Sequence, residues 1–167
     1  MIIVNSFPIL FATIWGLSFE VKNHLLPEAG RMIRCGEIRV RGFHIDVFSH
    51  VNNARYLEFM EEARWVVLDK YIDFRRIAAK GIIFVVVNIN INYRKPASMG
   101  DVIELYIDLT RIGNKSAVFY QELRLKGTET VVADAEVTFV FADKNTGKAV
   151  EIDDDIKLLL EDFRNKT

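Results

Sequence analysis

The sequence has little cysteine or proline, with one cysteine and three prolines in 167 residues. The single cysteine, Cys35, excludes an intrachain disulfide and any metal site built from several thiolates. A lone thiol is typical of proteins kept in a reducing compartment, so we expect a cytoplasmic protein. No distinctive activating residues surround Cys35, so we do not expect its thiol to act as a nucleophile.

The sequence also lacks an excess of either charge. It has 22 Lys and Arg against 23 Asp and Glu, which does not favour a nucleic-acid-binding protein held by bulk positive charge. His24, His44 and His50 have no zinc-ligand spacing, and the chain contains no Gly-x-Ser-x-Gly motif. We therefore expect neither a metal cofactor nor a serine hydrolase of that type.

The N-terminal stretch has no charged side chain from residue 1 to residue 19 and is mostly apolar. That length approaches a membrane span, but polar residues and Pro8 interrupt it, and no basic residue precedes it. It could be a membrane anchor, a helix packed on the domain, or upstream sequence outside the native protein. We favour the third, since Met32 comes just before the first predicted strand. We expect an N-terminal extension over residues 1–31 and a single domain over 32–167, with membrane contact through residues 1–19 not favoured.

The order of periodic segments predicts an α+β fold. From Val87 to Tyr93, apolar residues alternate strictly with asparagines, as in a strand with two different faces. The long helix that precedes this strand is too apolar to lie on the surface. We expect a curved antiparallel sheet wrapped around that helix; a helix lying on a flat sheet is the alternative. The predicted elements are a strand over 33–43, the long helix over 52–70, a short helix or turn over 71–80, four strands over 82–95, 101–111, 115–125 and 130–142, and a closing helix over 153–163.

An irregular polar stretch, HIDVFSHVNN at residues 44–53, lies directly before the long helix. If the helix begins near Asn52, its first free N–H groups and the positive end of its dipole point back at this loop. Such amides stabilise an oxyanion, and a carboxylate beside them, Asp46, suits attack on a carbonyl as general base or as nucleophile. The alternative is that Asp46 and Asn52 only cap the helix.

Other polar residues near this stretch offer weaker hypotheses. His50 could polarise a carbonyl or hold Asp46, although a lone loop histidine is more often structural. Among Glu58, Glu61 and Glu62 in the helix, whichever faces inward is a candidate second carboxylate. Glu61 and Arg64 are one turn apart, so we expect them to form a surface ion pair.

Two long segments carry a resemblance to a known family. VRGFHIDVFSHVNNARYLEFMEEARW and FVVVNININYRKP, supported by VVADAEVTFV, resemble bacterial long-chain acyl-CoA thioesterases of the thioesterase III (FadM) type. That family belongs to the hot-dog superfamily, together with the 4-hydroxybenzoyl-CoA thioesterases, and the likeness runs over residues 38–141. The resemblance implies the hot-dog fold, in which a curved sheet wraps one central helix, and this agrees with the element order predicted above.

The resemblance also implies roles for individual residues. Asp46 matches the loop carboxylate that attacks the thioester or activates water. Asn53 matches the helix-start position whose amide binds the oxyanion. His50, Asn52 and Tyr56 match other positions around the site.

The implied activity is hydrolysis of acyl-CoA to fatty acid and CoA, without a cofactor, in a homodimer or homotetramer whose sites form between subunits. The acyl chain would need an apolar tunnel beside the helix. The phosphates of CoA need basic partners, and the candidates are Arg94, Lys95, Arg111 and Lys115, which are otherwise solvated turn charges.

Alternative functions remain. The HVNN segment also looks like plant acyl-ACP thioesterases, but those carry an asparagine between the aspartate and the histidine where this chain has Phe48. A hot-dog hydratase acting on acyl thioesters and a non-catalytic acyl-binding module are the other two alternatives.

Overall fold

The computed structural model describes residues 32–165, so the extension predicted over residues 1–31 lies outside the described residues. A short 3-10 turn, Gly42–His44, follows the first strand. The strands are β1 (Ile33–Arg39), β2 (Ile82–Tyr93), β3 (Val102–Ile112), β4 (Ser116–Leu125) and β5 (Val131–Asp143), and the helices are α1 (Asn53–Tyr71), α2 (Phe74–Ala79) and α3 (Asp154–Asn165).

The five strands form one antiparallel sheet in the order β1-β3-β4-β5-β2, which makes β1 and β2 the edge strands. β2 pairs with β5 from Ile82 opposite Asp143 to Tyr93 opposite Ala133. Its register shifts between Val86 and Asn88, which identifies a bulge at Val87. The bulge separates the first part of β2 from the alternating segment that ends beside the start of α1.

Helix α1 packs on one face of this sheet, which we call the inner face. The helix buries residues spaced at three and four, so that a single apolar stripe faces the strands. In the first part of β3, Ile103, Leu105 and Ile107 alternate with half-buried residues and are each at most 2% exposed. The α+β hot-dog arrangement predicted from the sequence is confirmed. The buried contacts include Tyr56, Phe59, Met60, Ala63 and Val67 of α1 and Leu105, Ile107, Phe119, Leu123, Val137 and Phe139 of the sheet.

Helix α3 extends the same core. Its Ile156, Leu160 and Phe163 are buried, and the Phe163 ring lies 5.3 Å from Tyr71 and 5.9 Å from Phe119. These two ring contacts of Phe163 would not form if the helix were free in solvent. None of the helices within residues 32–165 is long and apolar enough to cross a membrane.

Two local predictions were wrong. β1 ends at Arg39 and not near Phe43, because the chain turns at Gly42–His44 and the Arg41 N–H donates to the His44 ring. Arg64 does not form a surface ion pair. It is 7% exposed and donates to the side chain of Gln121 in β4 at 2.9 Å. Helical spacing alone did not reveal that Arg64 lies on the sheet-facing side.

Candidate functional site

The loop before α1 is held in one conformation by its own main chain. The Asp46 N–H donates to the His50 carbonyl at 2.8 Å, and the Ser49 N–H donates to the Asp46 carbonyl at 3.1 Å. Ser49 has a φ of 64°, the left-handed region that a tight turn needs. Ile45 and Val51 form an antiparallel bridge that closes the loop. This turn therefore fixes the main-chain position from which the Asp46 side chain extends.

The Asp46 carboxylate has one oxygen engaged and one open. Its Oδ1 accepts the Phe48 N–H at 2.8 Å and, more weakly, the His50 N–H at 3.4 Å. Within residues 32–165, its Oδ2 accepts no hydrogen bond, and the side chain is half-buried. The loop amides therefore orient the carboxylate and leave the second oxygen free to accept a proton or to attack a carbonyl.

The start of α1 likewise has one group open. The Asn52 side chain caps the helix by accepting the Ala54 N–H at 2.9 Å, and the Asn52 carbonyl accepts the Arg55 N–H. The Asn53 N–H has no hydrogen-bond partner in the described part of the chain. It lies at the positive end of the helix dipole, where an N–H binds an oxyanion well.

The remaining acidic residues and His50 contribute less than the sequence suggested. The His50 ring is exposed and makes no hydrogen bond to Asp46 within the described residues; His50 holds Asp46 through its main chain. Glu58 pairs with Arg55 at 2.6 Å, and Glu61 and Glu62 are exposed. None of these three glutamates faces inward, so the helix offers no second carboxylate to the site.

Two tyrosines link the helix start to the sheet. Tyr56 is 3% exposed, and its hydroxyl accepts the Ala97 N–H at 3.1 Å. Burial raises the pKa of Tyr56, with the charge of Asp46 among the smaller causes, so its phenol stays protonated. The Tyr93 hydroxyl donates to the Asn53 carbonyl at 3.2 Å, and the two rings lie 5.7 Å apart.

Tyr93 was missing from the sequence-based site. The signal available was its place in the alternation of β2, which put it on the same face as Ile91, although the sequence did not show that this face lies against the helix start.

His44 was also missing from the sequence-based site, because it was considered only as a zinc ligand. It is 7% exposed, its Nδ1 accepts the Arg41 N–H at 3.0 Å, and its carbonyl accepts the Asn52 N–H at 2.9 Å. Burial lowers the pKa of His44, so a neutral ring anchors the loop to the helix cap.

The four basic candidates lie in different places. The Arg94 guanidinium is bonded to Asp134 on the sheet face away from α1. Lys95 is exposed and closely precedes Ala97, whose carbonyl accepts a hydrogen bond from the loop. Arg111 and Lys115 are exposed at the β3–β4 turn, about 35 Å along β3 from the loop at 3.3 Å per residue. A single copy of the chain therefore brings only Lys95 and Arg94 to the loop end of the sheet.

The chemistry available at this site comes from a carboxylate and a main-chain donor. Across residues 32–165, no three or more His, Cys, Asp or Glu side chains are grouped to hold a metal ion. The open oxygen of Asp46 and the open N–H of Asn53 belong to one short loop and the helix that follows it. A base or nucleophile beside an oxyanion donor suits hydrolysis at a carbonyl.

The known proteins that this chain resembles in sequence are described as thioesterases or thioester hydrolases. A sequence profile described as the thioesterase-like superfamily matches residues 22–160. The long-chain acyl-CoA thioesterase FadM of Escherichia coli (strain K12) is 47% identical over 125 residues, which cover 75% of this chain and 95% of FadM. The acyl-CoA thioester hydrolase YbgC of Escherichia coli O6:H1 is 29% identical over 107 residues, 64% of this chain and 79% of YbgC.

A solved structure agrees with these sequence relatives. The crystal structure of YbaW, a probable thioesterase from Escherichia coli, matches with a TM-score of 0.72 and 44% identity over 80% of this chain and 98% of YbaW. The profile thus covers most of the chain, and FadM is matched along nearly its whole length. The chain therefore belongs to the thioesterase-like superfamily.

Proposed function

We propose that this protein is a thioester hydrolase that converts long-chain fatty acyl-CoA and water to free fatty acid and CoA. The observation that carries the proposal is the open carboxylate oxygen of Asp46, on the loop that leads to the open N–H of Asn53. The 47% identity to the acyl-CoA thioesterase FadM supports both the reaction and the long-chain substrate.

The reaction begins with the thioester carbonyl oxygen against the Asn53 N–H, which stabilises the negative charge that develops on attack. With Asp46 as general base, its Oδ2 takes a proton from water while the water oxygen bonds to the carbonyl carbon. The carbon–sulfur bond then breaks, and the proton held by Asp46 passes to the departing CoA thiolate. With Asp46 as nucleophile, its Oδ2 bonds to the carbonyl carbon and the carbon–sulfur bond breaks, which gives an acyl anhydride and the CoA thiolate. Water then cleaves the anhydride, one of its protons passes to the thiolate, and the Asp46 carboxylate is restored.

The other residues of the site hold these two groups in place. Asn52 caps the helix, Tyr56 ties the helix start to Ala97, and the main chain of His50 bonds to Asp46. We assign to the exposed ring of His50 a hydrogen bond to the thioester or to the CoA portion of the substrate.

Binding of CoA requires cations at the mouth of the site. We assign Lys95 as the first candidate, because it is exposed and lies near the loop. Arg94 is a weaker candidate, since Asp134 already holds its guanidinium. Arg111 and Lys115 would have to come from a second copy of the chain.

The proposal includes a homodimer or homotetramer. β2 is an edge strand of the described sheet, and Ile83 and Val87 on it are 41% and 55% exposed. An exposed apolar edge strand is suited to pairing with another chain.

We also propose that the protein is cytoplasmic, which the free thiol of Cys35 supports.

Thiol release from acyl-CoA substrates of increasing chain length tests the proposed function. We expect release of CoA with a preference for long chains, and no release would contradict it. A hydratase would instead change the absorbance of an enoyl thioester, whereas an acyl-binding module would bind acyl-CoA tightly without turnover. The ring of His50 does not pair with Asp46 within the described residues, which favours hydrolysis over an Asp–His hydratase.

A further inference from the structure

One peptide unit at the start of α1, between Asn53 and Ala54, is held at both of its polar ends. Its N–H donates to the Asn52 side chain at 2.9 Å. Its carbonyl accepts the Tyr93 hydroxyl at 3.2 Å. The Asn52 bond is an ordinary helix cap, but the Tyr93 bond comes from a distant strand and the capping of the helix does not need it.

We propose that Tyr93 is a positioning residue, which aims the Asn53 N–H at the substrate carbonyl by fixing the neighbouring peptide. The proposal rests on the proposed thioester hydrolysis. The Asn53 N–H belongs to the peptide unit between Asn52 and Asn53. The peptide unit that is held at both ends is the next one, between Asn53 and Ala54, so these two peptide units are joined only through the φ and ψ angles of Asn53. With the second peptide fixed, rotation about these two angles is the only remaining way in which the first N–H can turn relative to that peptide.

A helix start needs such help more than a helix interior does. Interior N–H groups are aligned by the bonds they make to carbonyls four residues earlier, and the first N–H groups of a helix have no such acceptors. Helix ends consequently fray. An oxyanion donor left at a fraying end would lose part of the preorganisation on which its effect depends.

Tyr93 is itself well anchored. It is the last residue of β2 and pairs with Ala133 of β5. Its ring lies 5.7 Å from the ring of Tyr56, whose hydroxyl accepts the Ala97 N–H. The sheet, the β2–β3 connection and the helix start therefore meet at these two rings, and Tyr93 transmits the rigidity of the sheet to Asn53.

The competing role for Tyr93 is direct contact with substrate, because its side chain is 44% exposed. The two roles differ in kinetics. A contact made equally in the ground state and the transition state changes KM, whereas a misaimed oxyanion donor lowers kcat.

The experiment compares Tyr93→Phe with Tyr106→Phe in the full chain. Both changes remove one hydroxyl, but the Tyr106 hydroxyl bonds to Glu104 on the sheet face away from α1. Measurements are kcat and KM for thiol release, the thermal midpoint, and the 1H–15N amide signal of Ala54. For Tyr93→Phe we expect kcat to fall about fivefold to tenfold, the equivalent of one neutral hydrogen bond, with KM unchanged. The Ala54 amide signal should shift, and Tyr106→Phe should leave kcat and that signal unchanged.

The proposal would be overturned by a wild-type kcat in Tyr93→Phe, whether or not KM rises, or by an unchanged Ala54 signal. A fall in kcat equal in both variants would also overturn it, since the effect would then be general. Failure of the proposed function is recognised separately, because the wild-type protein would then release no thiol.

Discussion

Two polar regions of this molecule differ in what their polar groups bond to. In the loop and helix start over residues 44–53, polar side chains bond to main-chain groups, and an acceptor on Asp46 and a donor on Asn53 stay open. On the outer face of the sheet, which is the face away from α1, side chains bond to one another. The first region keeps one acceptor and one donor available for a substrate, whereas in the second region the side chains satisfy one another's hydrogen bonds.

The outer face illustrates the second pattern in detail. Asp134 is 5% exposed and accepts hydrogen bonds from both Arg94 and Asn92. Glu122 accepts from Arg124 at 2.7 Å and from the hydroxyl of Tyr120. A buried carboxylate has to be paired in this way, because an unpaired one would carry a large desolvation penalty. An unpaired carboxylate oxygen in the half-buried loop is therefore the more informative observation about function.

The largest expected effect comes from removing the open oxygen of the loop. Asp46→Asn should lower kcat at least about a hundredfold, because an amide cannot take a proton from water or act as a carboxylate nucleophile. Asparagine can still accept the Phe48 N–H, so the thermal midpoint and acyl-CoA binding should change little. Steady-state thiol release and thermal unfolding are the measurements.

The matched control for this change is Asp134→Asn, the same substitution on the outer face. It should weaken the pair with Arg94 and lower the thermal midpoint, while kcat stays near the wild-type value. If Asp46→Asn turned over substrate normally, the mechanism proposed for Asp46 would be wrong. If both variants lost activity equally, the two regions would not differ in function.

A smaller effect is expected for the basic residues proposed to contact CoA. Lys95→Ala should raise KM by about threefold to tenfold with little change in kcat, since a phosphate contact far from the carbonyl binds ground and transition states alike. Arg111→Ala should also raise KM if a second copy supplies that residue to the site. Arg94→Ala should act mainly on stability, because Asp134 already holds its guanidinium. A larger rise in KM for Arg94→Ala than for Lys95→Ala would reverse this assignment.

A pH effect on stability should come from His44. Burial, reinforced by the nearby charge of Arg55, lowers its pKa below the ordinary 6.5, so the unfolded chain takes up this proton at higher pH than the folded chain. The stabilisation by neutral His44 is full above that value and is lost as pH falls through the lower folded pKa. The thermal midpoint should therefore be lower at about pH 5.5 than at about pH 7.5.

The variants His44→Asn and His50→Gln separate this effect from other titrations. Asparagine keeps an acceptor for the Arg41 N–H but does not titrate, so the drop between the two pH values should shrink. His50 has an exposed ring, and His50→Gln should keep the wild-type pH dependence. An undiminished drop in His44→Asn would show that other groups cause it.

The smallest effect is expected at the N-terminus. A chain starting at Met32 should fold and hydrolyse acyl-CoA like the full chain, because all of the polar groups compared above lie after that residue. The alignment with FadM supports this, since it takes in 95% of FadM but 75% of this chain. Thiol release and protein yield are the measurements, and a loss of either would show that residues 1–31 contribute to the folded protein.

Local patterns in the sequence determined the elements and the cap. The alternation up to Tyr93 and the three-and-four spacing in α1 each depend on residues a few positions apart, so they predicted β2 and the buried helix. The placement of Asn52 at the helix start followed from the same local information, since a cap bonds within its own turn.

Tertiary structure alone decided which distant groups meet. Tyr93 bonds to Asn53 across 40 residues, Arg94 bonds to Asp134 across 40 residues, and Arg64 bonds to Gln121 across 57 residues. Each pairing depends on strand order and register, which are set by how the whole sheet packs against α1. Hence the sequence by itself identified Asp46 and the helix start as a candidate site. Only the packed sheet decided that Arg94 and Arg64 are engaged elsewhere and that Tyr93 reaches the first turn of the helix.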